Sequence, residues 1–426
     1  MDHNHLTHIA FEGPAGSGKT HRLIEALQLR LAERPLAPHE KVLALTYMNG
    51  ARRRLDARLG ELPALRGKFE VQTIDRFARS IMHGRRSLAQ QLGLPLTRQD
   101  FNADCAAAGA LTAHPGVAAW LANSYPIVLV DELQDADAGR LAIFQGLATS
   151  CDLIVAADEF QCLSPQLLPS QAVAWMHQAC VLTSLEQNRR TANTTLLRAA
   201  KLLRDGKNLP LTGLLPITVP PGPLAHAFSI AQHLENNPAD TVAIITPSVT
   251  PGYLATLERL AGATGKSRKF RPRFAHHEKS SKDEMANLKR LLSLPDRRDI
   301  NACIDGLRAS DNAQLSRLAD WLRDKQKVAP LVELTDALID ERLSLIQHQV
   351  RNYGSAKERP LASMTVHGAK NREFDGVVVF WPYQVGGSDD HKRRLLYNAI
   401  TRAKSWCAIV LAGKQLTNAV PFGPDC

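Results

Sequence analysis

Short apolar runs alternating with amphipathic stretches mark both ends of the chain. Leu6 to Phe11, Lys41 to Thr46, Ile127 to Val130 and Leu153 to Ala157 read as strands in the first part. Thr241 to Thr246, Val377 to Trp381 and Ala408 to Leu411 read as strands in the last part. Between the early runs, Leu23-Ile24, Leu27 and Leu31 recur at helical spacing, and Ala51 to Leu59 reads as a basic helix. Strands without a polar face, alternating with helices, predict parallel sheets covered on both sides. Ligands of such sheets sit at the carboxyl ends of the strands. Asn208 to Pro223 is rich in Pro, Leu and Gly and reads as a loop, while roughly 250 to 355 is mostly helical by pattern. The economical organisation is an α/β unit over 1–184 and a second over 185–426, the second interrupted by a compact helical insertion at about 265–355. The chain has 426 residues, enough for two or three domains.

Chemistry enters with residues 13 to 20, which read Gly13-Pro14-Ala15-Gly16-Ser17-Gly18-Lys19-Thr20. This is the G-x-x-x-x-G-K-[ST] phosphate-binding loop, here between a strand and a helix. Gly16 and Gly18 let backbone N–H groups turn inward, and the helix presents its positive end to phosphate. Lys19 is placed to reach the β and γ phosphates and Thr20 to ligate Mg²⁺, with His21 and Arg22 as adjoining nucleotide contacts. The Ile127 to Val130 strand ends at once in Asp131-Glu132. That arrangement suits a second metal contact at Asp131 and a water-orienting base at Glu132.

Charge and cysteine usage narrow the setting. Lys and Arg number 52 against 42 Asp and Glu, a net charge of +10 that favours a polyanion partner. The seven cysteines are scattered and form no Cys-x-x-Cys pair, which speaks against a zinc site and fits a reducing cytoplasm. The N-terminus lacks the charged and apolar regions of a signal peptide, and no apolar run approaches a membrane span.

Several further segments, in order, resemble one family. Leu45-Thr46 to Asn49 followed by Ala51-Arg52-Arg53-Arg54-Leu55 resembles motif Ia of UvrD/Rep/PcrA-type superfamily 1A helicases, and Gln72-Thr73 to Phe77 their next DNA-contacting motif. Val130 to Asp135 resembles motif II, Asp158-Glu159-Phe160-Gln161 motif III, and Leu185 to Arg190 motif IV. Met364 to Lys370 with Glu373-Phe374-Asp375 resembles motif V, and Arg394 to Lys404 motif VI. The resemblance implies two RecA-like P-loop NTPase domains burning ATP with Mg²⁺. It gives Lys19, Glu132, Gln161, Arg190 and Arg402 catalytic roles, with the two arginines aimed at the γ phosphate, and adds Glu373 to the nucleotide contacts. It assigns DNA contacts to Thr46, Asn49, Thr73, Thr365 and His367 and metal contacts to Thr20 and Asp131. Translocation on single-stranded DNA with 3′-to-5′ polarity, and unwinding of partly duplex DNA, belong to the same expectation. The basic runs at Arg52 to Arg54 and Lys266 to Arg273 would add charge along the strand or form plain solvated faces.

The chain also departs from the family pattern. No Gln precedes the phosphate loop, Arg189 stands where an adenine-stacking aromatic is usual, and Cys162-Leu163-Ser164 follows Gln161 in place of Ser-Ile-Tyr. An arginine can itself stack on a base. Phe77 to Ile127 leaves little room for the first large insertion of repair helicases. In this the chain is similar to compact UvrD-like subunits of anti-phage systems such as Gabija, which act with a separate nuclease. Two functional expectations follow: a DNA-dependent ATPase that translocates, and a nucleotide- and DNA-sensing subunit with a nuclease or effector partner. A small-molecule kinase is disfavoured, because it has no use for the Thr365 to Lys370 and Thr401 to Lys404 segments.

Overall fold

The structure is a computed structural model, and it describes residues 6–47, 49–94, 101–262, 288–290, 292, 297–310, 312–328, 333–353 and 361–424. The Lys266 to Arg273 stretch lies outside the described residues.

Eleven strands form two all-parallel sheets among the described residues. The first contains β1 (Ile9–Glu12), β2 (Val42–Thr46), β3 (Phe69–Thr73), β4 (Ile127–Val130), β5 (Asp152–Ala157) and β6 (Val181–Ser184), in the order β3-β2-β4-β5-β1-β6. The second contains β7 (Ile217–Thr218), β8 (Val242–Thr246), β9 (Leu361–Thr365), β10 (Phe374–Trp381) and β11 (Ala403–Leu411), in the order β7-β11-β10-β8-β9. β2 and β4 are buried at every position, as strands covered on both faces must be. One face of the first sheet packs on Leu23, Leu27, Leu55 and Leu59 of its helices, the other on Phe77, Ile81, Leu111 and Phe144.

The strand runs read from the sequence appear with small shifts of end, and four strands join them. β3 carries Glu70 and Gln72 on one face, where Gln72 donates to Glu70 at 2.6 Å and Tyr125 donates to Glu70 at 2.7 Å. β6 is exposed along its whole length, so its sequence lacks the signature of burial. β7 lies inside the expected Asn208 to Pro223 loop, and β9 supplies the sheet edge that ends in Thr365.

The chain divides into two compact units, and the division differs from the expected one. Residues 1–276 with 360–426 form the first, holding both sheets, and residues 277–359 form the second. Both sheets share one unit because the motif side chains described below join them. The second unit is helical, with Ile300–Ala309, Ala313–Val328 and Asp336–Tyr353 around Leu307, Leu318, Leu322, Leu343 and Ile346. Among the described residues no helix is long and apolar enough to cross a membrane.

Candidate nucleotide site and strand-end ledges

The carboxyl ends of β1, β4 and β5 bring three loops together. After β1, Gly16 (φ +81°) and Gly18 (φ +87°) take the left-handed conformation that glycine adopts without strain, and the Lys19–Glu33 helix starts at once. The loop is tightly backed. A Cβ on Gly13 would lie 2.4 Å from the Leu185 carbonyl, and one on Gly16 would lie 2.6 Å from Asn188 Nδ2. Asn188 Nδ2 donates to the Ala15 carbonyl at 2.8 Å, and Arg189 N donates to the Gly16 carbonyl at 2.7 Å. The Ala15 N–H donates to the Tyr397 hydroxyl at 2.8 Å, a bond from the first sheet's loop to the second sheet's helix.

Lys19 is buried and donates to the Gly13 carbonyl at 2.8 Å and the Pro14 carbonyl at 3.1 Å. Burial pushes its pKa down, against the pull of Asp158, Glu132 and Asp131. Thr20 Oγ1 donates to Asp131 Oδ2 at 3.2 Å. Burial and then the neighbouring Glu132 lift the Asp131 carboxyl to about 6. Two adjacent carboxylates in a buried place call for a cation. Glu132 is held at φ +65°, a conformation costing about 1 kcal/mol or more for a residue with a side chain, and accepts a short hydrogen bond from the Gln134 amide. Gln134 Oε1 in turn accepts from the Asp158 N–H at 2.9 Å, so the ends of β4 and β5 are locked together.

The second sheet supplies the arginines. Arg402 is 2% exposed and donates to the Asn398 carbonyl at 3.0 Å and Gln161 Oε1 at 3.3 Å. Among the described residues it forms no salt bridge to a carboxylate. Burial and then the charge of Arg190 bring its pKa down to about 10. Arg190 is paired with Glu373 at 2.8 Å and donates to the Thr401 carbonyl at 2.7 Å. Burial alone would lift the Glu373 carboxyl, but Arg190, Arg54 and Lys404 outweigh it and hold it below the usual range. Arg54 is open to solvent, yet it lies in the field of Glu373 and Asp131, which turns one member of the basic run toward this cleft.

The residues present fit a magnesium nucleotide. Among the described residues Ser17 Oγ is buried with no hydrogen-bond partner beside the glycine cradle, Arg402 forms no salt bridge to a carboxylate, and Thr20 and Asp131 are in hydrogen-bond contact. Thr20 and Asp131 would hold the metal, while Lys19, Arg190 and Arg402 would meet phosphate. His21 and Arg22 are placed otherwise: both pair with Glu25, at 3.2 and 2.9 Å, on an open part of the helix. Arg189 runs along the loop, its Cδ 3.3 Å from a Cβ built on Gly18.

The expected nucleic-acid contacts lie at other strand ends. Thr46 and Thr73 are register partners at the ends of β2 and β3, and Thr365 is the partner of Thr246 at the ends of β9 and β8. Both sheets therefore finish in a matching threonine pair, of which Thr246 had no motif to mark it. Thr73 and Thr365 cap helices, accepting from Arg76 N at 3.3 Å and Gly368 N at 3.1 Å. Thr46 is only 1% exposed, and among the described residues its hydroxyl has no hydrogen-bond partner. It therefore lies under the ledge and not on it, because β2 is an interior strand with neighbours on both sides. His367 opens to solvent at its edge, and burial of the ring followed by Lys370 and His391 lowers its pKa. Asn49 opens the Asn49–Gly60 helix, and its side chain lies outside the described set.

Two family models match the chain. Residues 3–104 match the UvrD/REP helicase N-terminal domain and residues 360–410 the UvrD-like helicase C-terminal domain. Asp131, Gln161 and Arg190 fall between the two matched segments. No curated protein matches. Among solved structures, an Arterivirus nonstructural protein 10 (helicase) is similar at 11% identity and a TM-score of 0.39, over 97% of this chain and 62% of that one. The same helicase in complex with DNA gives 11% identity and a TM-score of 0.37, over 96% of this chain and 62% of that one. This chain thus spans 62% of the length of either. With the N-terminal match carrying the phosphate loop and the C-terminal match carrying Glu373 and Arg402, the two matched domains indicate a UvrD-like superfamily 1 helicase.

Proposed function

We propose that the chain is a nucleic-acid-dependent ATPase that couples hydrolysis to movement along single-stranded DNA with 3′-to-5′ polarity. The observation that carries the reading is Arg402. A buried guanidinium beside a second arginine and without a carboxylate costs several kcal/mol unless an anion arrives. Gln161 connects it to Asp158 and so to Lys19, which supports an anion bound at the phosphate loop. Thr20 and Asp131 would hold Mg²⁺, which would supply positive charge to offset the phosphates. Glu132, oriented by Gln134, would accept the proton of the attacking water. Arg190 would exchange Glu373 for the γ phosphate, drawing the second sheet toward the first. The threonine ledges would grip the sugar-phosphate backbone, which predicts little sequence preference.

The test is ATP hydrolysis with and without single-stranded DNA. Marked stimulation is expected, and no stimulation by any nucleic acid overturns the reading. A second reading, a nucleotide- and DNA-sensing subunit of an anti-phage assembly with a separate nuclease, is favoured by the compact 277–359 unit and by the short Ile74–Ser124 connection. Stable co-purification with a nuclease and weak unwinding alone would support it; efficient unwinding by the isolated chain would exclude it.

A further inference from the structure

Arg204 closes the Thr194–Arg204 helix, outside every motif named above. The Asn193 cap starts that helix by accepting from Thr195 N at 3.0 Å and Leu196 N at 3.2 Å, and Leu196, Ala199 and Leu203 bury its inner face in the core of the second sheet. From its last turn the Arg204 guanidinium reaches back to the first sheet. Its Nη1 donates to Asp158 Oδ1 at 2.7 Å and lies 3.5 Å from the Tyr397 hydroxyl, and the group sits 5.6 Å from the centre of the Phe160 ring. Asp158 is wholly buried at the end of β5. Its other oxygen accepts from the Gln161 amide at 2.8 Å and faces Lys19 Nζ at 3.9 Å.

One buried carboxylate is thus shared by two cations with different duties. Arg204 makes the short, charge-assisted bond and Lys19 stands off. If Arg204 were absent, Lys19 would be the nearest cation to Asp158 among the described residues, and a small movement of its ammonium would close the gap. A lysine locked onto Asp158 is lost to phosphate. The same guanidinium lies against the Tyr397 hydroxyl that takes the Ala15 N–H, so one side chain touches the partners of both the loop and Gln161.

We infer that Arg204 is a positioning residue for nucleotide binding: it neutralises Asp158 and so leaves Lys19 free for phosphate. The inference rests on the nucleotide-hydrolysing reading above. It sets the nucleotide affinity and not the chemical step, and the charge of residue 204 is what counts.

The experiment compares the wild-type chain with Arg204→Gln, Arg204→Lys and the double variant Arg204→Gln with Asp158→Asn. Affinity is read by titration with a fluorescent ATP analogue, turnover with single-stranded DNA at varied ATP, and folding by thermal melting. Arg204→Gln is expected to weaken nucleotide binding and raise KM by about tenfold or more, with kcat at saturation within about threefold. Arg204→Lys should bind within about threefold of wild type, and the double variant should recover most of the lost affinity. Wild-type affinity in Arg204→Gln, a loss of kcat and melting temperature without a KM change, or a lysine that fails to rescue would each overturn the inference. If Arg204→Gln does not fold, the double variant decides: near-wild-type affinity supports the role and a tenfold loss refutes it. A wild-type chain that binds no nucleotide would overturn the parent reading together with this one, whereas an active wild type with an indifferent Arg204 overturns this one alone.

Discussion

Arg402 and Glu132 each hold a locally unfavourable state. Arg402 keeps a guanidinium out of water with Gln161, the Asn398 carbonyl and the Thr401 hydroxyl as its company, and Glu132 keeps a left-handed backbone. Such costs are retained where function needs them. Arg402→Met should therefore lower ATP turnover by about three orders of magnitude while leaving the thermal midpoint unchanged or raised, measured by phosphate release and calorimetry. A midpoint that falls steeply would mean that Arg402 is structural. Glu132→Gln keeps the size and the Gln134 neighbour and removes the base. It should cut turnover by about 100-fold or more and leave nucleotide affinity within about threefold. Retained turnover would refute the assigned base.

At the level of elements, the phosphate loop is held from outside by the Asn188 to Arg190 segment as much as from within. Gly16→Ala would meet Asn188 Nδ2 at 2.6 Å with φ at +81°, whereas Gly67→Ala has φ at +74° and nothing within 4 Å of its Cβ. Gly67→Ala should cost about 1 kcal/mol, from backbone alone. Gly16→Ala should cost more and also abolish nucleotide binding; equal melting temperatures for the two would contradict this packing. Elements also divide into those legible in the sequence and those hidden. β2, β4, β5 and β8 are buried on both faces and announce themselves as apolar runs. β3 pairs Glu70 with Gln72 and Tyr125, and β6 is open to water, so neither shows the pattern. Within the site, residues spelled by motifs were legible. Arg204, Thr246 and the Tyr397 bond to Ala15 were not, because each depends on a neighbour brought by the fold and an arginine ending a helix is ordinary.

On the scale of the molecule, the two sheets are fastened by side chains remote in sequence. Lys370 and Asp135 form a close, largely buried ion pair, and Arg394 donates to the Glu159 carbonyl while lying 4.7 Å over the Phe160 ring. The pair is uneven: Asp135 holds Lys370 above its usual range despite burial, whereas burial and Glu132 lift Asp135 even with Lys370 beside it. Direct contact between the two groups marks the pair as formed. Lys370→Met leaves Asp135 buried without its cation and should destabilise the chain by about 3 kcal/mol, read from denaturant midpoints. Nucleic-acid binding by the whole chain should weaken steeply with salt, with a log–log slope of about −0.7 for each phosphate contact on a single strand. A flat salt response would exclude a backbone-gripping mode.

The matching threonine ends have a consequence for gait. A walker with two identical feet has no built-in preference for lifting one first, and on the proposed reading β2–β3 and β8–β9 would be two feet of the same make. Behind the two ledges, among the described residues, the buried Thr46 hydroxyl has no hydrogen-bond partner, while the equally buried Thr246 spends its hydroxyl on the Ser248 carbonyl at 2.8 Å. On the proposed reading, the forward direction is then chosen by which foot the nucleotide cleft unlocks.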